Sequence, residues 1–256
     1  MTEEWAPTPP LLLVAHGSRD PRAQQTVERA AERVRARLPG TAVRTAFLDF
    51  ADPRPADALV SLAAAGSLRV VAVPFLLTAA YHVRVDLPAA VREAQNLRPE
   101  LDVTVTPALG PDPLLLDAAD RRVREVGVLP GNHEMGVVLA AAGSSDPAAT
   151  AAVQRVATEY RATRGGWRVL AAYASQVSPT PAEAVRMLHG YGFETVLVLS
   201  YLLAPGRFQD SLDALAVESG VRVTAPLADT PEVAAVVADR YRDALPSRPR
   251  AAAVTG

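Results

Sequence analysis

The sequence contains no cysteine and no lysine, and all 26 of its basic residues are arginine. Without cysteine the chain can form no disulfide, thiolate zinc site or iron–sulfur cluster, and it has no thiol nucleophile. Without lysine, Schiff-base chemistry and a phosphate-binding loop of the usual lysine type are excluded. These two absences remove several classes of enzyme at once.

Strong net charge and long apolar runs are also missing. The 256-residue chain has a formal net charge of −2, which gives no indication of a nucleic-acid or membrane-surface partner. Its apolar runs are too short to span a membrane. Residues 1–10 are acidic and proline-rich, without the basic start and apolar core of a signal peptide. We therefore expect a cytoplasmic protein that binds neither nucleic acid nor membrane.

A tandem duplication is the main positive feature of the sequence. Leu11–Pro21 recurs 126 residues later as Val137–Pro147, and six of the eleven positions are identical. The apolar run Val70–Leu77 likewise matches Val196–Leu203. The duplication predicts two domains, which we place at residues 1–130 and 131–256.

Within each half, apolar strand-like runs alternate with amphipathic helical segments. The predicted strands lie near residues 11–15, 42–48, 69–76 and 101–106 in the first half, and near 137–142, 168–174, 195–201 and 221–225 in the second. Such alternation with short connections predicts two tandem α/β/α domains, each with a mostly four-stranded parallel sheet. With the strand order 2-1-3-4, ligands would bind at the carboxyl edge of the sheet.

Three polar residues follow the first three predicted strands. His16 follows strand one, Asp49 follows strand two, and His82 follows strand three after a short loop. In the order 2-1-3-4 these strands are neighbours, so the three side chains should converge at one edge. The equivalent positions of the second half are Ala142, Ser175 and Phe208. The sequence therefore predicts one functional site per chain, carried by the first half.

Imidazole and carboxylate together suit divalent metals such as Fe²⁺, Co²⁺, Ni²⁺ or Zn²⁺, and histidines can also move protons near neutral pH.

Gly17-Ser18 recurs as Gly143-Ser144 in the half without histidine, which favours a structural turn over catalysis by Ser18. Arg19, Arg84 and Arg207 are expected at the same edge, where they could bind an anionic substrate.

Three segments of the first half resemble the sirohydrochlorin chelatases, the class II tetrapyrrole chelatases that insert iron for sirohaem or cobalt for cobalamin. The resemblance rests on the Leu-Val-Ala-His-Gly-Ser-Arg opening at 13–19, on Phe47–Pro53 and on Val73–Leu77 followed by His82 and Asp86-Leu87-Pro88. It covers the whole chain, because long members of that family are tandem fusions of two α/β units. Asp49 stands where glutamate is more usual in the family.

The resemblance implies a lyase that inserts a divalent metal into sirohydrochlorin, with the metal as substrate and no permanently bound cofactor. His16 and His82 would be catalytic residues and metal ligands, with Asp49 as the acidic catalytic residue. Ser18, Arg19, Arg84 and Arg207 would bind the tetrapyrrole, and the second domain would form the opposite wall of the cleft. We expect a monomer, since both walls lie in one chain. We prefer Fe²⁺ to Co²⁺, because the chain has neither a histidine-rich tract nor a cysteine cluster.

Two other functions use similar residues. A histidine phosphatase also begins with a strand followed by His-Gly, but it requires an arginine immediately before the histidine, where this chain has Ala15. A non-enzymatic carrier of metal or tetrapyrrole could use the same two histidines and carboxylate. Turnover would distinguish the carrier from the chelatase.

Overall fold

The computed structural model describes residues 8–78, 82–130, 134–164 and 167–246, with residues 82 and 83 described in their backbone only. The elements of the first half are β1 (Leu11–Ala15), α1 (Pro21–Arg37), β2 (Val43–Phe47), α2 (Pro55–Ala64), β3 (Arg69–Phe75), a π-helical turn (His82–Asp86), α3 (Leu87–Leu97), β4 (Asp102–Val105) and α4 (Pro113–Glu125). Those of the second half are β5 (Met135–Ala141), α5 (Pro147–Thr163), β6 (Arg168–Tyr173), α6 (Pro181–Gly190), β7 (Thr195–Ser200), α7 (Arg207–Ser219), β8 (Arg222–Val223) and α8 (Pro231–Asp243).

The two halves form separate four-stranded parallel sheets with the orders β2-β1-β3-β4 and β6-β5-β7-β8. This confirms the predicted fold class and the order 2-1-3-4. The middle strands β1 and β5 are buried along their whole length, as continuous apolar runs in parallel sheets usually are. Within the described residues, no helix combines the length and the apolar character that crossing a bilayer requires.

The edge strand β8 is shorter than predicted, with two residues instead of the five of 221–225. The reason is that the Thr224 side chain ends the backbone pairing of β8 with β7. The Ser200 backbone N–H donates to Thr224 Oγ1 at 2.9 Å, so it is not available for a backbone bond to the neighbouring strand. The π-helical turn before α3 was also not predicted from the sequence.

The buried residues form three clusters, and the largest is shared by both halves. One cluster lies under α2 and α3 on the outer face of the first sheet, and another lies under α6 and α7 on the outer face of the second. The shared cluster joins the inner faces of both sheets through α1, α4, α5 and α8. The two halves therefore share one inner core, because the four inner helices form a common layer.

The last helix of each half packs on the sheet of the other half. Helix α8 contacts β3 and α1 of the first half, while α4 contacts β7 of the second half, and the two helices also pack on each other. Arg122 of α4 donates to the carbonyl of Pro226 at 2.7 Å, and Arg240 of α8 donates to the carbonyl of Leu109 at 2.9 Å. The two halves thus exchange helices across the common core.

The buried carboxylate of Asp120 holds α4 against α5. The Tyr160 hydroxyl donates to Asp120 Oδ1 at 2.8 Å, and Arg164 Nε donates to Asp120 Oδ2 at 2.9 Å. Burial, together with the Asp120 carboxylate, raises the pKa of Tyr160, so its hydroxyl stays protonated as a donor. This contact stabilises α4 in its exchanged position.

Candidate active site

A cleft of about 1540 Å³ lies between the halves, at the carboxyl ends of both sheets. Its lining comes from the segments that follow β1, β2 and β3 and from the equivalent segments that follow β5, β6 and β7. Topological switch points and domain boundaries are where α/β proteins usually bind their ligands. The cleft is therefore the candidate active site of the chain.

His16 lines this cleft directly after β1. The turn that presents it depends on Gly17, whose φ is +92° and whose added Cβ would lie 1.8 Å from the Asp49 carbonyl oxygen. The Asp49 backbone N–H donates to the His16 carbonyl at 2.8 Å, which ties the turn to the segment after β2. Only glycine can accept both the left-handed backbone and this close approach.

The second half builds the same turn without a histidine. Gly143 has φ +87°, and its added Cβ would lie 2.0 Å from the Ser175 carbonyl oxygen. Ala142 lines the cleft at the position equivalent to His16. The turn therefore belongs to the duplicated scaffold, whereas the imidazole is specific to the first half.

The His16 ring has a defined environment at one nitrogen. His16 Nδ1 lies 3.3 Å from the Gly17 carbonyl oxygen, which can only accept a hydrogen bond. A hydrogen bond from Nδ1–H to this oxygen would leave the lone pair on Nε2. In this form Nε2 can ligate a metal ion or accept a proton.

The predicted convergence of three side chains is only partly described by the structure. Asp49 approaches His16 through its backbone, its side chain is half-buried, and it is not among the residues that line the cleft. The side chain of His82 lies outside the described residues. Among the side chains that are described, no three or more His, Cys, Asp or Glu residues form a group that could hold a metal ion.

Ser18 and Arg19 follow His16 and both line the cleft. Ser18 Oγ accepts a hydrogen bond from the Asp20 backbone N–H at 3.0 Å, a local turn contact that Ser144 repeats with Asp146 at 3.1 Å. The Arg19 guanidinium lies 5.1 Å from the centroid of the Phe50 ring. Ser18 thus shapes the start of α1, while Arg19 presents charge to the cleft.

Arg207 and Arg84 differ in their surroundings. Arg207 lines the cleft at the start of α7, with its guanidinium 5.1 Å from the centroid of the Phe208 ring. Arg84 pairs instead with Asp146, the N-cap residue of α5, and it is not among the residues that line the cleft. The structure thus places Arg207, but not Arg84, in the cleft wall.

A second ion pair joins the halves at the equivalent place. Arg22 contacts Asp20 at 2.5 Å and Asp210 at 2.7 Å. In the duplication, Asp20 is equivalent to Asp146, and Asp210 occupies the position equivalent to Arg84. The hydrogen bonds from Arg22 hold the pKa of Asp20 below its usual range. Asp146 therefore pairs directly with the other half, whereas Asp20 holds Arg22, which makes the contact with Asp210 of the other half.

Some cleft residues were not predicted from the sequence. Phe50, Tyr173 and Tyr201 all line the cleft, and each follows or ends a strand at its carboxyl edge. The signal that could have revealed them is the placement of aromatic residues at strand ends in a protein with only 5% aromatic residues. Aromatic residues at the ends of strands are more often part of the core, which made the signal weak.

Two α/β lobes that exchange helices and face each other across a cleft form a tandem α/β protein with internal pseudo-twofold symmetry. The CbiX family model matches residues 10–126 and 136–244, once in each half. The chain therefore belongs to the CbiX family.

Curated relatives are about one quarter identical to this chain over the aligned residues. It is 27% identical to sirohydrochlorin ferrochelatase of Priestia megaterium over 197 residues, covering 77% of this chain and 73% of that protein. It is 26% identical to sirohydrochlorin cobaltochelatase of the same organism over 204 residues, covering 77% and 64%. Iron- and cobalt-inserting enzymes are thus matched at nearly the same identity.

The fold also matches a solved structure along most of its length. SirB from Bacillus subtilis with Fe³⁺ superposes with a TM-score of 0.82 at 23% identity, covering 93% of this chain and 95% of that one. At this identity the likeness shows the fold, including both halves in their relative arrangement.

Proposed function

We propose that the chain is a chelatase that inserts a divalent metal ion into sirohydrochlorin, in the biosynthesis of sirohaem or cobalamin. The observation that carries the proposal is a cleft lined by both lobes, with His16 on one wall and Ala142 at the equivalent position of the other. Membership of a family whose relatives are named sirohydrochlorin ferrochelatase and cobaltochelatase supports this substrate.

Metal insertion requires two chemical events that imidazole suits. The metal ion must exchange water for other ligands, and the two pyrrole N–H groups of the macrocycle must lose their protons. Neutral imidazole is a good ligand for Fe²⁺ and Co²⁺, and near neutral pH it can also accept a proton. His16 lines the cleft, and an Nδ1–H bond to the Gly17 carbonyl would give its Nε2 the lone pair that either role needs.

His82 and Asp49 complete the proposed site. We propose His82 as the second metal ligand, since it begins the π-helical turn that follows β3, the strand next to β1. Asp49 is bonded to the His16 turn through its backbone, so we propose that its carboxylate orients an imidazole or raises its basicity. Asp49→Asn should then reduce turnover less than His16→Ala does.

The second half, residues 131–256, is proposed to act as the opposite wall of the cleft, and residues 1–130 to carry the catalytic groups. A tetrapyrrole is too broad to be enclosed by one sheet edge, whereas the cleft between the lobes draws its lining from both. Because each lobe already has a partner within the chain, we expect a monomer. A cytoplasmic location fits the proposed biosynthetic role.

The experiment that tests the function is metal insertion followed by absorbance. Purified protein is incubated anaerobically with sirohydrochlorin and either Fe²⁺ or Co²⁺, and the spectral change is compared with the reaction without protein. We expect many turnovers per chain and a higher kcat/KM with Fe²⁺. Binding of tetrapyrrole or metal without any turnover would identify a carrier instead of an enzyme.

A further inference from the structure

Phe50 is an exposed aromatic residue at the cleft, beside the histidine turn. Its side chain is 59% exposed, and it lines the same cleft as His16. It directly follows Asp49, whose backbone N–H is bonded to the His16 carbonyl. An exposed phenylalanine at the rim of a cleft leaves a large apolar surface in water, as binding surfaces commonly do.

The backbone at Phe50 does not explain the aromatic side chain. Phe50 has φ +60°, an unusual conformation for a residue other than glycine, and Gln176 at the equivalent position of the second half has φ +67°. The left-handed bend is therefore a property of the duplicated scaffold, which accepts a polar residue equally well. What distinguishes the first half is the ring itself, on the same lobe as His16.

Arg19 adds a positive charge to this apolar surface. Its guanidinium lies 5.1 Å from the Phe50 ring centroid, within the range of a cation–π contact. Arg19 is exposed, and it has no carboxylate partner among the residues that the structure describes. The equivalent residue of the second half is Ser145, so this pairing also belongs to the first lobe alone.

We infer that Phe50 and Arg19 together form a recognition platform for the macrocycle, an inference that rests on the proposed chelatase function. The ring offers a flat apolar surface to the face of a planar or nearly planar tetrapyrrole, and Arg19 pairs with a carboxylate at its rim. Their position next to His16 would hold the pyrrole nitrogens near the imidazole. Phe50 is thus a positioning residue that acts on substrate binding rather than on proton transfer.

The test compares substrate binding with turnover in the full-length chain. Metal-free sirohydrochlorin is titrated into wild type, Phe50→Ala, Phe50→Trp and Arg19→Ala, and the same proteins are assayed for insertion of Co²⁺. An aromatic stacking contact predicts that Phe50→Ala weakens binding and raises KM by about three- to tenfold, with kcat within about twofold of wild type. Phe50→Trp should bind as tightly as wild type, and the loss in Arg19→Ala should shrink as salt is raised.

Leu97→Ala is the matched control, since Leu97 is also an exposed apolar residue, 66% exposed, at the end of α3 and away from the cleft lining. Neither Phe50 nor Leu97 is packed in the core, so all variants should melt like wild type. If wild type is active and Phe50→Ala has the wild-type Kd and KM for sirohydrochlorin, the recognition platform is wrong. The proposed chelatase function would then still stand. A wild-type chain that neither binds sirohydrochlorin nor inserts metal would overturn both.

Discussion

Arg122 and Arg240 occupy equivalent positions on α4 and α8, and each donates hydrogen bonds to backbone carbonyls of the other half. Arg122 reaches Pro226 and Asp229, and Arg240 reaches Ala108 and Leu109. This reciprocal arrangement shows that the exchange of the two helices follows the internal pseudo-twofold symmetry. Neither half is therefore a self-contained unit.

The exchange predicts how an isolated half should behave. Residues 1–130 expressed alone would retain α4 but would lack α8, which covers β3 and packs on α1. We expect this fragment to dimerise, with α4 of each copy occupying the place that α8 has in the whole chain. Size-exclusion chromatography with light scattering should give a dimer for the fragment and a monomer for the full chain. A monomeric fragment with a cooperative melt would contradict the prediction.

Asp120 should be a major contributor to the contact between α4 and α5. Asp120→Ala leaves the buried Tyr160 hydroxyl without its acceptor and removes one partner of Arg164, so we expect a loss of about 2–4 kcal/mol in the free energy of unfolding. Asp117→Ala is the matched control, because Asp117 pairs with the same arginine but its side chain is 53% exposed. That exposed pair should contribute less than about 1 kcal/mol. Equal losses in urea denaturation of the two variants would refute the assignment.

Tyr201 should be a site where substitution stabilises the protein. Its hydroxyl is buried without a hydrogen-bond partner among the described residues, and burial raises the pKa of Tyr201. The equivalent residue of the first half is Phe75, which is equally buried, so the scaffold accepts phenylalanine. Tyr201→Phe should raise the free energy of unfolding by about 1 kcal/mol, measured by urea denaturation. A decrease in stability would indicate that the hydroxyl binds a buried water molecule or another partner.

Arg84 and Arg207 should give different defects when replaced by alanine. Arg207 lines the cleft, so Arg207→Ala should raise the KM for sirohydrochlorin more than it lowers kcat. Arg84 is paired with Asp146 in the other half, with 54% of its side chain exposed, so Arg84→Ala should lower stability by at most about 1 kcal/mol. Steady-state kinetics and thermal melts of both variants test this. A larger rise in KM for Arg84→Ala than for Arg207→Ala would reverse the two roles.

The sequence predicted the sheets well because local patterns determine them. Apolar runs, helical periodicity and the repeat predicted the strands and helices, while the order 2-1-3-4 was taken from the usual topology of doubly wound sheets. The turn at His16 followed from Gly17 and the N-cap Asp20. It did not predict the helix exchange, because the apolar face of α8 shows that the helix is covered but not which sheet covers it. The pairing of Arg84 with Asp146 was also not predictable, since it depends on how two distant segments meet. Phe50 escaped notice because its exposure is a tertiary property.

The central claim is that each chain has one catalytic site, carried by His16 in the first lobe. The most direct test is the rate of Co²⁺ insertion into sirohydrochlorin by wild type, His16→Ala and His189→Ala. His189 is the matched control, an exposed histidine on α6 whose Nδ1 lies 2.8 Å from the Phe193 carbonyl. Loss of a metal ligand or proton acceptor should lower kcat/KM by at least about 100-fold in His16→Ala, with an unchanged melting temperature, while His189→Ala stays at the wild-type rate. A His16→Ala protein that is well folded and turns over near the wild-type rate would contradict the account.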